Sequence, residues 1–450
     1  MKNKKRLIAL GMALAMTAGT VAACGNSGNN SGNGGSSDDA NSTADNADNN
    51  SGDDKGGGAG GSLTIAIWDT NQQDGIQKIL DDFTAETGIE TTLQAMDWSS
   101  YWTLLEAGAT GGEMPDVFWM HSNEAVKYMS NDILLDLTDY VAKSEKLEMD
   151  KFPDDLKDMY VWKDKTYAVP KDRDTIAVWY NKKMFDDAGI PYPDGSWTWD
   201  EFYDIAEKLT KDDGSQFGFA AQPSNEQDTW MNIVYSMGGT IVKDDNTSGF
   251  DDPNTIRAME FVDKCVKNVM PDANTMSETG TDVLFQSGKV AMICQGSWMV
   301  AGFKENDYMV ENADVARLPK DAETGRSVSL YNGLGWAASA GTKNPDAAFK
   351  LIEWFGSKEM QTKQAELGVT MAAYEGASDA WIKNTDVFNL QPYLDAMDDT
   401  VFRPHTNSTL AWWNPMCEEL VKVWNDEEKM ADACKNITDM MNEKISEENY

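Results

Sequence analysis

The sequence predicts an α/β protein with two domains, in which parallel-rich sheets are covered by helices. The runs 63–68 (LTIAIW) and 89–96 have the apolar, β-branched composition of short buried strands. Between them, apolar side chains recur at helical spacing over 76–83, and the pattern stops at Gly88. A strand, a helix and a strand with short connections form a βαβ unit, which implies a parallel sheet. Residues 62–450 number 389, more than a single hydrophobic core usually contains, so two domains are expected.

The same alternation returns in the second half of the chain. The apolar runs 290–294 and 334–339 predict two further strands. Asn344-Pro345 is typical of a helix start, and apolar side chains follow on one face as far as Phe355. The α/β pattern therefore extends over most of the folded part.

The first 23 residues predict a secretion signal. A basic start precedes the apolar stretch 7–23, and its cations are Lys2, Lys4, Lys5 and Arg6. Glycines and threonines interrupt this stretch and a polar tract follows it, so a permanent transmembrane helix is not predicted. Val21-Ala22-Ala23-Cys24 resembles the lipobox of bacterial lipoproteins, whose cysteine is acylated and becomes residue one after cleavage. Cys24 is thus the candidate lipidation site, and the alternative is an ordinary signal peptide with an incidental cysteine.

Residues 24–61 are predicted to be the lipidated cysteine followed by a disordered tether. From residue 25 onward the segment is almost entirely Gly, Ser, Asn, Asp and Ala, so it cannot bury enough apolar surface to fold. As a flexible coil it has an r.m.s. span of roughly 30 to 37 Å.

The net charge excludes two classes of partner. The whole chain carries −37, and removal of the signal leaves 34 Lys and Arg against 75 Asp and Glu, a net charge of −41. Nucleic acid and anionic lipid surfaces are therefore poor partners. The acidic residues are spread along the chain, which fits a soluble exported protein, with a cationic ligand as the alternative.

No catalytic motif, metal site or cofactor is predicted. The sequence has no G-x-S-x-G, Walker A, H-E-x-x-H or complete G-x-G-x-x-G motif. Asp244 begins a stretch like a calcium loop, but Thr255 stands where a bidentate Glu is needed, so a hairpin turn is expected. The two histidines and the cysteine spacing do not indicate zinc.

The four later cysteines allow three disulfide connectivities, and the sequence does not choose between them: Cys265, Cys294, Cys417 and Cys434. With 75 carboxylates, a catalytic pair at glycosidase spacing stays open.

Ligand-binding candidates come from the ends of the predicted strands, where ligands bind in open parallel sheets. That rule selects Trp68, Asp69, Asn71, Gln72, Trp98 and Trp298. A sugar presents C–H faces that stack on aromatic rings and hydroxyl edges that pair with Asp, Asn, Glu and Arg. Further stretches that combine such residues are 119–124, 171–174, 295–298, 331–336 (with Trp336) and 410–414. For any single tryptophan the alternative is core packing, which we assign to Trp102, Trp162, Trp179, Trp354 and Trp424.

The order of several motifs resembles the sugar-binding family of solute-binding proteins that serve bacterial ABC importers, the group of maltose-binding protein. The matching stretches run from about residue 63 to 425 and include GEMPDVFW at 112–119, YAVP at 167–170, WYNK at 179–182, FQSGKVAM at 285–292, GSW at 296–298 and GTKNP at 341–345.

This resemblance implies a two-lobed, periplasmic-binding-protein-like fold, hinged by crossing segments. Lobe one would comprise 62–174 and 320–375, and lobe two 175–319 and 376–450. Position by position, it implies sugar stacking on Trp298 and a cleft-facing carboxylate at Asp174. Ser122 and Asn123 stand where maltose-binding protein has an Asp-Arg pair, which is a departure from its pattern. An aromatic late in lobe two matches Trp412 or Trp413, and Trp230 is a further candidate.

The sequence therefore predicts a lipid-anchored extracellular receptor without enzymatic activity. It would bind a carbohydrate, expected to be an oligosaccharide, and deliver it to the transmembrane permease of an ABC importer. We expect a monomer that meets the membrane only through its lipid. The long spacer favours the outer face of a Gram-positive cytoplasmic membrane. The alternatives are a receptor for a polyamine or peptide, a glycan-holding adhesin, and an anchored glycoside hydrolase.

Overall fold

The computed structural model describes residues 61–221 and 227–448. The predicted signal peptide 1–23, the lipidation site Cys24 and all but the last residue of the tether 24–61 lie outside the described residues. In the described part, no helix is long and apolar enough to cross a membrane. The described residues form one compact unit.

The strands of the described part are short, and most are buried. In chain order they are β1 (Leu63–Ile67), β2 (Thr91–Ala95), β3 (Val117–Met120), β4 (Val161–Trp162), β5 (Lys165–Thr166), β6 (Ala168–Pro170), β7 (Ile176–Asn181), β8 (Met292–Gly296), β9 (Ala313–Ala316), β10 (Ser329–Tyr331), β11 (Gly335–Ala338) and β12 (Thr400–Phe402).

The helices alternate with these strands. In chain order they are α1 (Gln73–Thr87), α2 (Trp98–Gly111), α3 (Ser122–Ser130), α4 (Thr138–Lys143), α5 (Asp154–Asp158), α6 (Lys182–Ala188), α7 (Trp199–Leu209), α8 (Trp230–Ser236), α9 (Pro253–Val269), α10 (Ala273–Thr279), α11 (Thr281–Gln286), α12 (Val300–Lys304), α13 (Asp307–Asn312), α14 (Pro345–Gly356), α15 (Lys358–Glu366), α16 (Asp379–Ile382), α17 (Gln391–Asp395), α18 (Thr409–Trp424) and α19 (Met430–Ser446).

Lobe one is built on a five-stranded sheet with the order β2-β1-β3-β11-β6. β1 is parallel to β2 and β3, as the predicted βαβ unit requires, whereas β11 is antiparallel to both β3 and β6. The helix α1 ends at Gly88, whose φ of 70° is the left-handed conformation that favours glycine. Its buried face consists of the four predicted side chains, Ile76, Ile79, Leu80 and Phe83. Helix α14 packs on the same sheet, so the strands are covered on their apolar side.

Lobe two is built on a three-stranded sheet with the order β8-β7-β9. Here β7 is antiparallel to both neighbours, and single parallel bridges at Phe217–Val290 and Ala220–Ile293 extend the sheet beyond β8. Among the named strands, parallel pairing joins β1 to its two neighbours and β10 to β12, whereas β7 is antiparallel to both of its neighbours. The lobe-one sheet is mixed in strand direction because β11, which follows a segment that crosses between the lobes, runs antiparallel to β3 and β6.

Three extended segments cross between the lobes side by side. The N–H of Lys171 donates to the carbonyl of Leu334 at 2.7 Å, and the N–H of Asp174 donates to the carbonyl of Asn332 at 2.9 Å. The N–H of Arg173 reaches the carbonyl of Met371 at 3.3 Å in the third segment. Few residues lie in these crossings, so a small change in their φ and ψ angles can alter the angle between the lobes. The two-lobed fold is thus confirmed.

The predicted lobe boundaries stay a prediction, and the contacts around residue 320 bear on them. The N–H of Lys320 donates to the carbonyl of Trp197 at 3.0 Å, and Asp321 pairs with Arg257 of α9 at 3.0 Å. The N–H of Leu330 donates to Asn232 of α8 at 2.7 Å. These contacts favour a boundary close to the end of β10 rather than at residue 320.

Candidate functional site

An aromatic cluster stands where β1 and β3 end and α2 begins. Around Trp68, ring centroids lie 5.1 Å away for Trp98 and 6.1 Å away for His121, and Trp98 lies 5.4 Å from His121. Trp68 directly follows β1 and His121 directly follows β3, so two parallel strands deliver them to one edge. The other members of the cluster are Tyr101, Trp102 and Trp119.

The cluster has a buried base and an open rim. Trp119 and Tyr101 are fully buried, and the Tyr101 hydroxyl donates to the Trp119 carbonyl. Trp68 is half-buried and Trp98 is 46% exposed, so aromatic surface is left accessible at the strand ends. Asp97 fixes Trp98 at the start of α2, because its Oδ1 accepts the N–H of Ser100 at 3.0 Å. The rim is therefore a rigid aromatic platform.

A buried polar network supports this platform from below. Lys171, with 0% exposure, donates from Nζ to Oε1 of Gln72 at 2.9 Å and pairs with Asp172 at 2.5 Å. Its Nζ also lies 4.2 Å from the centre of the Trp119 ring. Gln72 donates in turn to Asp69 at 2.8 Å. Both ends of the Gln72 amide are thus engaged by protein groups, which gives this residue a positioning role.

Asp174 and Asn332 form a polar patch where the crossing segments meet. Oδ1 of Asp174 accepts the N–H of Asn332 at 2.9 Å and Nε2 of Gln227 at 2.9 Å. Burial raises the pKa of Asp174 well above its usual range, and the neighbouring charge of Asp172 raises it further. Once it is ionised, a carboxylate enclosed in this way accepts strong hydrogen bonds from hydroxyl groups.

His121 connects the patch to the aromatic cluster. Its Nδ1 accepts the N–H of Asn123 at 3.1 Å, and its Nε2 lies 3.4 Å from the side-chain amide of Asn332. Desolvation, followed by the charge of Arg403, lowers the pKa of His121 to about 3. The imidazole is therefore neutral at physiological pH.

Three buried polar oxygens belong to residues that adjoin this patch: Asn332 itself, Ser122 directly after His121, and Ser297, whose N–H donates to the carbonyl of Thr175 at 3.1 Å. Within the described residues, Oγ of Ser122, Oγ of Ser297 and Oδ1 of Asn332 are buried and have no hydrogen-bond partner. Burial of an unpaired polar atom costs free energy, so these atoms favour a polar ligand.

Trp298 stands on the lobe-two side. It follows β8 and is half-buried, and its indole packs closely against Gly296: a Cβ added there would lie 2.0 Å from a ring atom. Four residues on, Gly302 faces Asn71 of lobe one, whose side-chain amide would be 3.1 Å from an added Cβ. The lobes therefore approach one another closely beside Trp298.

We expect Gly296→Ala to weaken ligand binding by about tenfold, because the new methyl group displaces the Trp298 indole and overpacking costs about 1–3 kcal/mol. Gly296 has an ordinary φ of −80°, so the effect is steric and not one of backbone strain. The matched control is Gly111→Ala, where an added Cβ meets nothing within 4 Å. Calorimetric titration of both variants measures the difference, and equal affinities would contradict this placement of Trp298.

The two late tryptophans have different surroundings. Trp412 is fully buried and donates from Nε1 to Oγ1 of Thr406 at 2.8 Å, so it packs inside lobe two. Trp413 carries the guanidinium of Arg403 on its ring, with Cζ 4.4 Å from the ring centre. Arg403 then donates from Nη1 to Oδ1 of Asn123 in lobe one. Trp413 is thus the member of the pair that belongs to the interlobe region.

Comparison with known proteins identifies the family. The sequence profile of the bacterial extracellular solute-binding proteins matches residues 68–362. The chain belongs to this family. This solute-binding protein is 25% identical over 336 residues to the galactooligosaccharide-binding protein of Bacillus subtilis, covering 72% of this chain and 76% of that one. It is 22% identical to the maltooligosaccharide ABC transporter solute-binding lipoprotein of Streptococcus pneumoniae, covering 86% and 89% of the two chains.

Solved structures show the same fold. An ABC substrate-binding protein of Listeria monocytogenes, determined in complex with cycloalternan, superposes with a TM-score of 0.78 at 21% identity, covering 86% of this chain and 99% of that one. The resemblance that the motif order indicated is therefore confirmed.

Two sequence-derived candidates lie in the cores of this solute-binding protein. Trp336 has 0% exposure, and its ring stacks on Phe355 of α14 with centroids 4.0 Å apart. Trp230 is buried against Phe250, at 6.1 Å between centroids. Trp336 lies inside β11 rather than beyond its end, so the strand's alternation turns the indole toward α14. These placements, with that of Trp412 and the positioning role of Gln72, leave Trp68, Trp98, Asn71, Ser122, Asn123, Asp174, Trp298 and Trp413 as the candidate site.

Three residues of the candidate site were not singled out from the sequence: His121 and Asn332 lay inside the predicted stretches 119–124 and 331–336 without being chosen individually, and Arg403 lay outside every stretch. His121 and Asn332 directly follow β3 and β10, so the strand-end rule would have found them had those strands been assigned. Arg403 follows the three-residue strand β12, which is too short to show a periodic pattern.

Three of the four later cysteines of the solute-binding protein are in the reduced form. Cys265, Cys294 and Cys434 are buried free thiols. Burial raises the pKa of Cys265 to about 12, which makes its thiol unreactive.

Proposed function

We propose that this protein captures an oligosaccharide between its lobes and delivers it to the permease of an ABC importer. The observation that carries the proposal is the pairing of an open aromatic rim, Trp68 and Trp98, with buried, unpaired polar oxygens around Asp174. Sugars need both surfaces at once, because their C–H faces stack on rings while their hydroxyl edges form hydrogen bonds. The names of the two relatives, which bind galactooligosaccharides and maltooligosaccharides, support the same ligand class.

The anchoring of the receptor is part of the proposal. We propose that a lipid on Cys24 and the tether 24–61 hold a monomeric receptor at the outer face of a Gram-positive cytoplasmic membrane. The support comes from the lipobox-like sequence ending at Cys24 and from the S. pneumoniae relative, which is a lipoprotein. A tether of about 30 to 37 Å lets the receptor reach a permease in the same membrane. Metabolic labelling with a radioactive fatty acid tests this step, and a Cys24→Ser chain that still carries label would contradict it.

A thermal-shift screen tests the ligand class. The chain from Gly25 onward is screened against mono- and oligosaccharides, with spermidine and a tripeptide as representatives of the other ligand classes. A ligand at 100 times its Kd adds about 2.7 kcal/mol to the free energy of unfolding. We expect stabilisation by at least one oligosaccharide, and none by spermidine or the peptide. Release of shortened glycans during the incubation would instead indicate a hydrolase.

Trp298→Ala is expected to lower the affinity for the oligosaccharide hit about tenfold, because a stacked ring is lost from the lobe-two side. The matched control is Trp162→Ala in the hairpin β4–β5, where a half-buried tryptophan outside the candidate site is removed. Isothermal titration compares the two variants. Loss of affinity in Trp162→Ala, or full affinity in Trp298→Ala, would contradict the site assignment.

A further inference from the structure

Arg403 of lobe two reaches across to lobe one. Its side chain is only 5% exposed, and Nη1 donates to Oδ1 of Asn123. Asn123 lies in the first turn of α3, which is part of lobe one, whereas Arg403 follows β12 and rests on Trp413 of α18. The hydrogen bond therefore joins the lobes directly.

The arginine side of this contact is held in place. The N–H of Arg403 donates to the carbonyl of Tyr331 at 2.9 Å, which attaches its backbone to the end of β10. The guanidinium Cζ lies 4.4 Å from the centre of the Trp413 ring, and this cation–π contact favours the rotamer that points toward lobe one.

The asparagine side is held as well. The N–H of Asn123 donates to Nδ1 of His121 at 3.1 Å, and this bond caps the start of α3. His121 itself belongs to the aromatic cluster, with its ring 5.4 Å from that of Trp98. Because the backbones of both partners are held within their own lobes, the angle between the lobes sets whether their side chains come within hydrogen-bond distance.

We propose that Arg403 and Asn123 form a latch that stabilises the closed arrangement of the lobes without help from the ligand. The contact exists only when the lobes are close, so it favours that arrangement over the open one. The latch presupposes the proposed function. It would regulate how readily the lobes close around a sugar. Arg403 is a positioning residue here and need not touch the sugar.

A charge-assisted hydrogen bond in a largely dehydrated place should shift the ratio of closed to open molecules about tenfold, equivalent to about 1.4 kcal/mol. Lysine at 403 lacks the planar fork and the stacking on Trp413, so it should restore little of the effect.

Small-angle X-ray scattering of the sugar-free protein tests the latch. We expect Asn123→Ala, Arg403→Ala and the double variant to share one radius of gyration, larger than that of the wild type. Arg403→Lys should resemble them. The matched control is Arg326→Ala, which removes a bidentate pair with Asp399 on the surface of lobe two and should leave the radius unchanged. Equal radii for the wild type and Asn123→Ala would overturn the proposal.

Asn123→Ala keeps the test valid if Arg403→Ala does not fold, because Asn123 is only half-buried; circular dichroism checks each variant. A second arm uses maltotriose as probe, with dissociation rates from surface plasmon resonance. The latch predicts that either single variant releases maltotriose about tenfold faster and that the double variant is no faster. Multiplied effects in the double variant would mean that Arg403 acts on the sugar by itself, which overturns the latch. If maltotriose does not bind, the ligand proposal is weakened for that sugar, while the sugar-free scattering still decides the latch.

Discussion

Trp336→Ala is expected to lower the free energy of unfolding by about 3–5 kcal/mol, the cost of removing a large buried aromatic side chain. Trp336 is in β11, between β3 and β6, and its ring stacks on Phe355 at 4.0 Å with an interplanar angle of 13°. It also lies 5.9 Å from Trp119, which supports the aromatic cluster. Urea denaturation followed by circular dichroism measures the loss. Sugar affinity of the molecules that remain folded should change little.

The matched control for this prediction is Trp98→Ala. Trp98 is 46% exposed at the rim, so its removal should cost less than about 1 kcal/mol in stability and lower the affinity for an oligosaccharide. The two variants thus separate packing from binding. A Trp336→Ala protein that keeps its stability and loses its ligand would show that Trp336 faces the cleft after all.

Trp336 also shows where sequence reasoning about the fold reaches its limit. The composition of 334–339 predicted a strand, and β11 is found at Gly335–Ala338. Side chains alternate between the faces of a strand, so a shift of one residue moves an indole from one side to the other. A strand's existence follows from local composition, whereas the face that each residue occupies depends on partners distant in the chain, here α14 and β3.

Trp68 and Trp98 illustrate what local pattern did predict. Both follow or begin elements whose composition and spacing are continuous over several residues, and parallel pairing of β1 with β2 and β3 brings those strand ends to one edge. The βαβ unit therefore predicts a site on lobe one without any knowledge of lobe two.

Arg403 illustrates what local pattern did not predict. Its position depends on pairing of β12 with β10, which places Arg403 beside Tyr331, 72 residues earlier in the chain. Each of these strands has three residues, so neither carries a recognisable period. The part of the candidate site that lies between the lobes therefore depends on long-range strand pairing, which local composition does not encode.

Asp174→Asn is expected to do the reverse of Trp336→Ala: it should not lower the free energy of unfolding, and it should weaken sugar binding. The amide keeps an oxygen that can accept the N–H of Asn332 and the Gln227 amide, so the local geometry is retained. The pKa of the Asp174 carboxyl is raised by burial and by Asp172, above its value of about 3.9 in an unfolded chain. Its contribution to stability is therefore fully present at low pH and is lost as the pH rises through the folded-state pKa. At neutral pH the variant should be at least as stable as the wild type, and the difference should disappear on acidification.

Sugar binding should respond the other way. An ionised Asp174 can accept charge-assisted hydrogen bonds from sugar hydroxyl groups, each worth about 1.5–3 kcal/mol. Replacement by Asn should therefore reduce the affinity for sugar by roughly ten- to a hundredfold at high pH. The affinity of the wild type should rise as the pH passes the Asp174 pKa, while that of Asp174→Asn stays flat. Asp139→Asn on the surface of α4, whose side chain is 88% exposed, is the control carboxylate and should follow the wild-type profile. Calorimetric titrations from pH 4 to 9 measure all three proteins. A wild-type affinity independent of pH, with Asp174→Asn binding equally well, would remove Asp174 from the site and leave sugar recognition to the aromatic rim and neutral amides.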